Sequence, residues 1–114
     1  MWKEKMPNPE KLNFDELILS KTRLGIISAL ISGDKVEFTY LRDSLELSDG
    51  NLSVQIRKLE EVGYIKVEKI FIDRKPKTFC KITNKGQKAV LILIKKLEAI
   101  VNITDAPLKN KKNK

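Results

Sequence analysis

The stretch that decides the fold runs from Leu47 to Lys77 and reads LSDGNLSVQIRKLEEVGYIKVEKIFIDRKPK. Ser48 stands where a helix N-cap belongs, and Asp49 suits the positive end of the helix that follows. Leu52, Ile56 and Leu59 are spaced i, i+4, i+7, which puts them on one face of that helix. The pattern predicts a helix from Ser48 to Val62, closed by Gly63 in the C′ position. Tyr64 to Ile72 then reads as a strand, with a slip in the alternation at Lys69-Ile70 that suggests a bulge. Asp73 to Pro76 turns the chain among the cations Arg74, Lys75 and Lys77, and Lys77 to Ile82 returns it.

Upstream, residues 1–13 are polar and carry Pro7 and Pro9, the outline of a flexible arm. Phe14 to Leu19 is a short helical candidate. Ser20 or Lys21 opens a second helix through Ile31, in which Gly25 marks close packing because a mid-helix glycine is otherwise costly. Val36 to Phe38 is a small strand candidate that could pair with the hairpin. Thr39 reads as the cap of a helix through Leu45, and Glu46-Leu47 as the turn into the Ser48 helix. Downstream, Thr83 caps a long helix over 84–103, and Ala106-Pro107 ends the ordered part. Residues 104–114 form a basic tail closing on Lys109 to Lys114. The order helix, helix, strand, helix, helix, strand, strand, helix is that of a winged helix-turn-helix. The expected class is α+β, mostly α, with a wing sheet of two or three strands and one domain over 14–103.

The chain has 114 residues with formal net charge +8, placed unevenly. Residues 1–64 hold 9 Lys/Arg against 11 Asp/Glu, whereas residues 65–114 hold 14 against 4. A basic balance favours a polyanionic partner. Here the attraction must come from the hairpin, the last helix and the tail.

On the Ser48 helix, the face turned from Leu52, Ile56 and Leu59 carries small, amide and basic side chains. Asn51 and Gln55 can pair with adenine, Val54 can touch a thymine methyl, and Ser48 and Ser53 can donate to phosphate oxygens. Arg57 and Lys58 can hold the backbone. Arg74, Lys75 and Lys77 suit phosphates or a narrow minor groove. In the last helix, Val90 to Ile94 are five consecutive apolar residues, followed by Leu97, Ile100 and Val101. That run covers more than one helix face. Leu91, Ile94, Leu97, Ile100 and Val101 are the candidate seam of a two-fold homodimer.

The chain has no histidine and one cysteine, Cys80, which excludes an intrachain disulfide and any metal site built from Cys and His. Cys80 reads as a small buried hydrophobe, and Trp2, Tyr64, Phe71 and Phe79 as packing aromatics. No Gly-rich phosphate loop occurs. Asp15-Glu16 and Glu60-Glu61 are neighbours, which on a helix do not face each other. The expectation is a binding protein with no enzymatic activity and no cofactor. Without a signal-peptide core or a long apolar run, the expected location is cytoplasmic, with no membrane partner.

Four pieces resemble the MarR- and ArsR-like winged-helix transcription regulators, most of all the small single-domain branch common in archaea. They are RLGIISAL at Arg23 to Leu30, LSDGNLS at Leu47 to Ser53, RKLEEVGYI at Arg57 to Ile65 and ITNKG at Ile82 to Gly86. The likeness spans Phe14 to Val101. It implies a recognition segment at Ser48 to Lys58, wing-tip contacts at Arg74 and Lys75, a dimerising terminal helix, and double-stranded DNA as partner. The chain departs from the metal-sensing branch, which uses histidines and several cysteines. The residues name no small-molecule effector.

The same features admit other readings: a winged-helix protein–protein module, which the acidic balance of residues 1–64 would suit, or a non-specific architectural nucleic-acid binder.

Overall fold

The computed structural model describes residues 14–112, with side chains through residue 102. Its elements are α1 (Lys21–Leu30), β1 (Val36–Glu37), α2 (Phe38–Ser44), α3 (Asp49–Glu61), β2 (Ile65–Ile72), β3 (Lys75–Ile82) and α4 (Asn84–Lys112). The strands form one antiparallel sheet in the order β1-β3-β2. This is a winged helix with a long C-terminal helix.

Local chemistry fixes most element ends. Ser20 accepts from the Arg23 N–H to cap α1, and Ser48 accepts from the Asn51 N–H at 3.1 Å to cap α3. Beyond α3, Gly63 N–H donates to Glu60 O and Tyr64 N–H to Leu59 O, with Gly63 at φ 82°. This paired closure is a Schellman motif. The same motif ends α2: Glu46 N–H reaches Asp43 O and Leu47 N–H reaches Arg42 O. There the left-handed residue is Glu46, at φ 54°, and it makes the turn between α2 and α3. Thr83 caps α4 by accepting from Gly86 N–H at 3.0 Å, while its hydroxyl donates to Gly63 O at 2.6 Å.

Leu52, Ile56 and Leu59 of α3 meet Ile26, Ile27 and Leu30 of α1, Leu41 of α2, and Ile65, Cys80 and Ile82 of the sheet in one buried core. Gly25 does mark a close contact: a β-carbon there would stand 3.0 Å from Leu45 Cδ2. Cys80 is fully buried, and burial pushes its thiol up to about 11.

Several expectations are corrected. Phe14 to Leu19 holds only a turn. Asp15 takes the Leu17 N–H on its carboxylate and the Leu19 N–H on its backbone oxygen, and Ser20 is then drawn extended (φ −137°, ψ 133°) as the cap of α1. Thr39 is not a cap: pairing of Val36 and Glu37 with Cys80 and Phe79 holds Glu37 extended, and α2 starts directly after it. The hairpin has no bulge. Its register runs unbroken from Ile65↔Ile82 to Ile72↔Lys75, and the turn is only Asp73-Arg74. Both turn residues have positive φ, 52° and 67°, which makes it a type I′ turn. Pro76 therefore lies inside β3. Because β1 pairs only Phe79 and Cys80, that part of β3 has an open edge, where proline is tolerated. α4 continues as far as Lys112, past the expected end, since Pro107 removes one backbone donor without forbidding the helix. The arm at 1–13 and the last two tail residues lie outside the described residues.

Candidate nucleic-acid interface

Helices α2 and α3 with the Glu46-Leu47 turn make a helix-turn-helix, and the β2–β3 hairpin stands beside α3. Asn51, Ser53, Val54, Arg57 and Lys58 are exposed on α3, and Gln55 is half-buried. The helix presents two flanks on either side of its exposed crown.

One flank faces the hairpin. Ser53 and Arg57 lie across a groove of about 410 Å³ from Lys69 and Thr78, with Phe38, Ile56 and Val67 at its floor and Glu60 on its wall. Lys69 was missed in the sequence, because only the strand register shows that it shares a face with Val67 and with Thr78 opposite.

The other flank meets α1. Arg23 Nη1 donates to Gln55 Oε1 at 2.5 Å, and Gln55 Nε2 donates to Asn51 Oδ1 at 3.1 Å. Arg23 also donates through Nε to the Leu17 carbonyl.

At the N-terminal end of α3, Arg42 links α2 to α3. Its Nη1 lies 2.9 Å from Asp49 Oδ1, and its Nε lies 2.9 Å from Asp43 Oδ1. The Arg42 guanidinium holds the Asp43 carboxyl below the usual carboxylate range. Neither Arg23 nor Arg42 stood out in the sequence, since each acts across a turn or a tertiary contact.

On the hairpin, Arg74 occupies the turn itself. Lys75 and Lys77 share the sheet face of Phe79 and Lys81, opposite the groove. Lys66, Ile70 and Ile72 lie on that outer face too. Glu68 is the acid among them, and Lys35 at 3.0 Å pairs with it and holds it below its ordinary range. Phe71, beside the tip, is 72% exposed.

On α4, Leu91, Ile94, Leu97 and Val101 are exposed and Ile100 is half-buried. Ile92, left out of the expected seam, is exposed as well. Leu24 on α1 and Ile31, the C-cap of that helix, continue the apolar surface, around a groove of about 230 Å³ that also touches Ile18, Val90 and Leu93. A second cavity of about 400 Å³ lies on the other side of α4, among Phe14, Asp15, Tyr64, Ile92 and Lys96. Tyr64 donates its hydroxyl to Asp15 Oδ2 at 2.5 Å, and that bond pushes its pKa up to about 12. Among the described residues, no group of Cys, Asp and Glu is arranged to hold a metal ion, and no helix is long and apolar enough to cross a membrane.

The family model of the winged helix DNA-binding domain matches residues 22–108. The chain belongs to that family. A solved transcriptional regulator homologue from Pyrococcus horikoshii is 30% identical, covers 84% of this chain and 95% of its own, and superposes with a TM-score of 0.75. A transcriptional regulator from Thermotoga maritima gives a TM-score of 0.69 at 19% identity over 85% of this chain and 70% of its own. MarR itself gives 0.63 at 18% identity over 83% and 66%. At those two identities the likeness is one of fold. An uncharacterised protein of Methanocaldococcus jannaschii is 43% identical over 70 residues, 61% of this chain and 76% of the relative. The winged helix seen here thus has a MarR-like fold, and the solved relative at 30% identity is a transcriptional regulator homologue.

Proposed function

We propose that this winged-helix protein is a sequence-specific, homodimeric DNA-binding transcriptional regulator. In this reading α3 enters the major groove, where Asn51, Ser53, Val54 and Gln55 face base edges and Ser48, Arg57 and Lys58 face phosphates. The hairpin lies along the flanking backbone, with Lys69 on the side of α3, Lys75 and Lys77 on the outer side, and Arg74 leading toward the minor groove. The exposed α4 face, Leu91, Ile94, Leu97, Ile100 and Val101, covers itself with a second copy and repeats the reading head about one helical turn away.

The observation that carries this reading is the tip. A type I′ turn favours Asn-Gly because both central residues need positive φ. Here the second of them is Arg74, at φ 67°. An L-residue held there costs about 1–2 kcal/mol relative to glycine. A strained cation at the exposed end of a two-stranded ribbon, beside a helix that offers polar side chains to solvent, is an arrangement suited to phosphate.

The test is fluorescence anisotropy of the protein on its own upstream DNA and on a scrambled duplex, at two salt concentrations. The expected result is a preference for the upstream duplex that survives the higher salt. Equal, salt-labile binding to both would count against base readout and in favour of a non-specific binder or a protein-docking module.

A further inference from the structure

Arg23 sits in the first turn of α1, outside the helix-turn-helix and the hairpin, yet a chain of hydrogen bonds runs from it to the reading surface of α3. It anchors behind on the Leu17 carbonyl and reaches forward to Gln55 Oε1 at 2.5 Å. Gln55 Nε2 then donates to Asn51 Oδ1 at 3.1 Å, one turn along the same helix. The chain has a direction. A guanidinium carries only donors, so it can meet an amide only at the amide's oxygen. Gln55 must therefore turn its oxygen to Arg23 and its nitrogen away. Asn51, receiving that nitrogen on its oxygen, is left with its own Nδ2 hydrogens pointing outward from an exposed position. The amide orientations, which symmetry of shape leaves open elsewhere, are set here by a group that cannot accept.

We propose that Arg23 is a positioning residue that fixes the polarity of the reading amides, so that Asn51 presents N–H donors and α3 selects acceptor-rich major-groove edges, guanine N7 and O6 first. The proposal rests on the reading of α3 as the base-reading helix. It also changes what the amides recognise. An amide that reads adenine shows the base an oxygen and a nitrogen side by side, to N6 and N7. Asn51 has its oxygen turned to Gln55, and Gln55 has its oxygen turned to Arg23.

The test is selection from a randomised duplex library with the wild type, Q55E, R23M and R23K, joined to NMR of the Gln55 and Asn51 side-chain amide signals in the DNA-free proteins. The wild type is expected to enrich guanine at one step of each half-site. In Q55E, the carboxylate accepts from Arg23 on one oxygen and from Asn51 Nδ2 on the other, which turns Asn51 Oδ1 outward. Guanine enrichment at that step should fall roughly tenfold, in favour of cytosine or adenine, whose exocyclic amines donate. R23M should flatten discrimination at that step and shift both amide signals, and R23K, with a donor-only head, should restore part of each. If R23M does not fold, Q55E alone decides the base preference. Identical motifs from the wild type and Q55E, or Gln55 and Asn51 amide signals unmoved in folded R23M, would overturn the proposal. If the wild type enriches no motif at all while R23M still shifts the amides, the assignment of α3 as the reading helix has failed, and the base selectivity proposed for Arg23 falls with it.

Discussion

Gly86 packs against the backbone carbonyl of Tyr64 so closely that a β-carbon on it would stand 2.3 Å from that oxygen. The contact sits where the α3 exit, the start of β2 and the first turn of α4 converge. The same carbonyl accepts from Thr83 N–H at 2.9 Å. A side chain at residue 86 must push α4 off the domain or break that bond. Gly86→Ala should therefore destabilise the fold by about 1–3 kcal/mol, the usual range for overpacking. Gly50 offers the contrast, since a β-carbon there meets nothing within 4 Å. Gly50→Ala should stabilise α3 by up to about 1 kcal/mol through helix propensity. Urea denaturation of the two variants checks both signs, and a Gly86→Ala midpoint equal to wild type would contradict the packing described.

Arg74 and Glu46 are both non-glycine residues in left-handed conformation, at φ 67° and 54°. Glycine at either place should relieve about 1 kcal/mol of backbone strain, partly offset by the entropy that glycine loses on folding. The two differ in what the side chain is for. Glu46 only turns α2 into α3, so Glu46→Gly should raise the melting temperature and leave DNA affinity intact. Arg74→Gly should also raise it, while weakening binding to every duplex and lowering the salt slope by about one unit. Thermal melts paired with salt-titrated anisotropy separate the effects. An Arg74→Gly variant that binds as tightly as wild type, with the same slope, would remove the wing tip from the interface.

Much of this architecture can be read locally, and its failures have a common physical origin. Ser48, Gly63 and the Leu52, Ile56, Leu59 stripe act within a few residues of themselves, so capping and periodicity report them faithfully. The slip in alternation at Lys69-Ile70 comes from the consecutive apolar residues Ile70, Phe71 and Ile72 and not from a bulge. That end of the ribbon extends past the core, where neither face must be apolar, and alternation loses its meaning while the register continues unbroken. The Phe14 to Leu19 segment has helical composition, but the extended cap at Ser20 cuts it short. Lys69 could be placed on the α3 side only from strand pairing. Arg23 and Gln55 are brought together by the packing of α1 on α3, which no spacing along the chain encodes.

Cys80 should behave as an inert core group. Burial pushes its thiol from 9.0 to about 11, with a smaller contribution from the Glu60 charge. At neutral pH it is protonated and enclosed, so a thiol reagent should label it only as fast as the domain opens. The sign of the pH effect follows from the raised value. Its contribution to stability is complete below the unfolded pKa near 9.0 and is lost as pH climbs through about 11. Stability should fall over that interval, with Tyr64, raised from 10.0 to about 12 by its bond to Asp15, adding a later loss. Cys80→Ala should be less stable at neutral pH but show a shallower decline between pH 9 and 11. Parallel urea melts of the two proteins across that range make the comparison, and equal slopes would mean the thiol does not titrate differently in the two states.

Leu97 tests the assembly. Its neighbours Ile94 and Val101 are three and four residues away on α4, which places them along one side of the helix, and all three are exposed. Leu24 of α1 and Ile31, the C-cap of that helix, are exposed too and line a groove with Val90 and Leu93 of α4. A contiguous apolar surface of this kind marks an interaction site in a folded protein. Covering one leucine is worth about 1.5–3 kcal/mol, and in a two-fold pairing each substitution counts twice. Leu97→Glu should convert a dimer to a monomer in sedimentation velocity at micromolar concentration without loss of helical circular dichroism. On a duplex with two half-sites it should lose the gain that comes from holding two reading heads together, which for linked modules is about a hundredfold or more. Binding to a single half-site should be nearly unchanged, because Leu97 is remote from α3 and the hairpin. A Leu97→Glu protein that sediments like wild type would place the dimer seam elsewhere on the molecule.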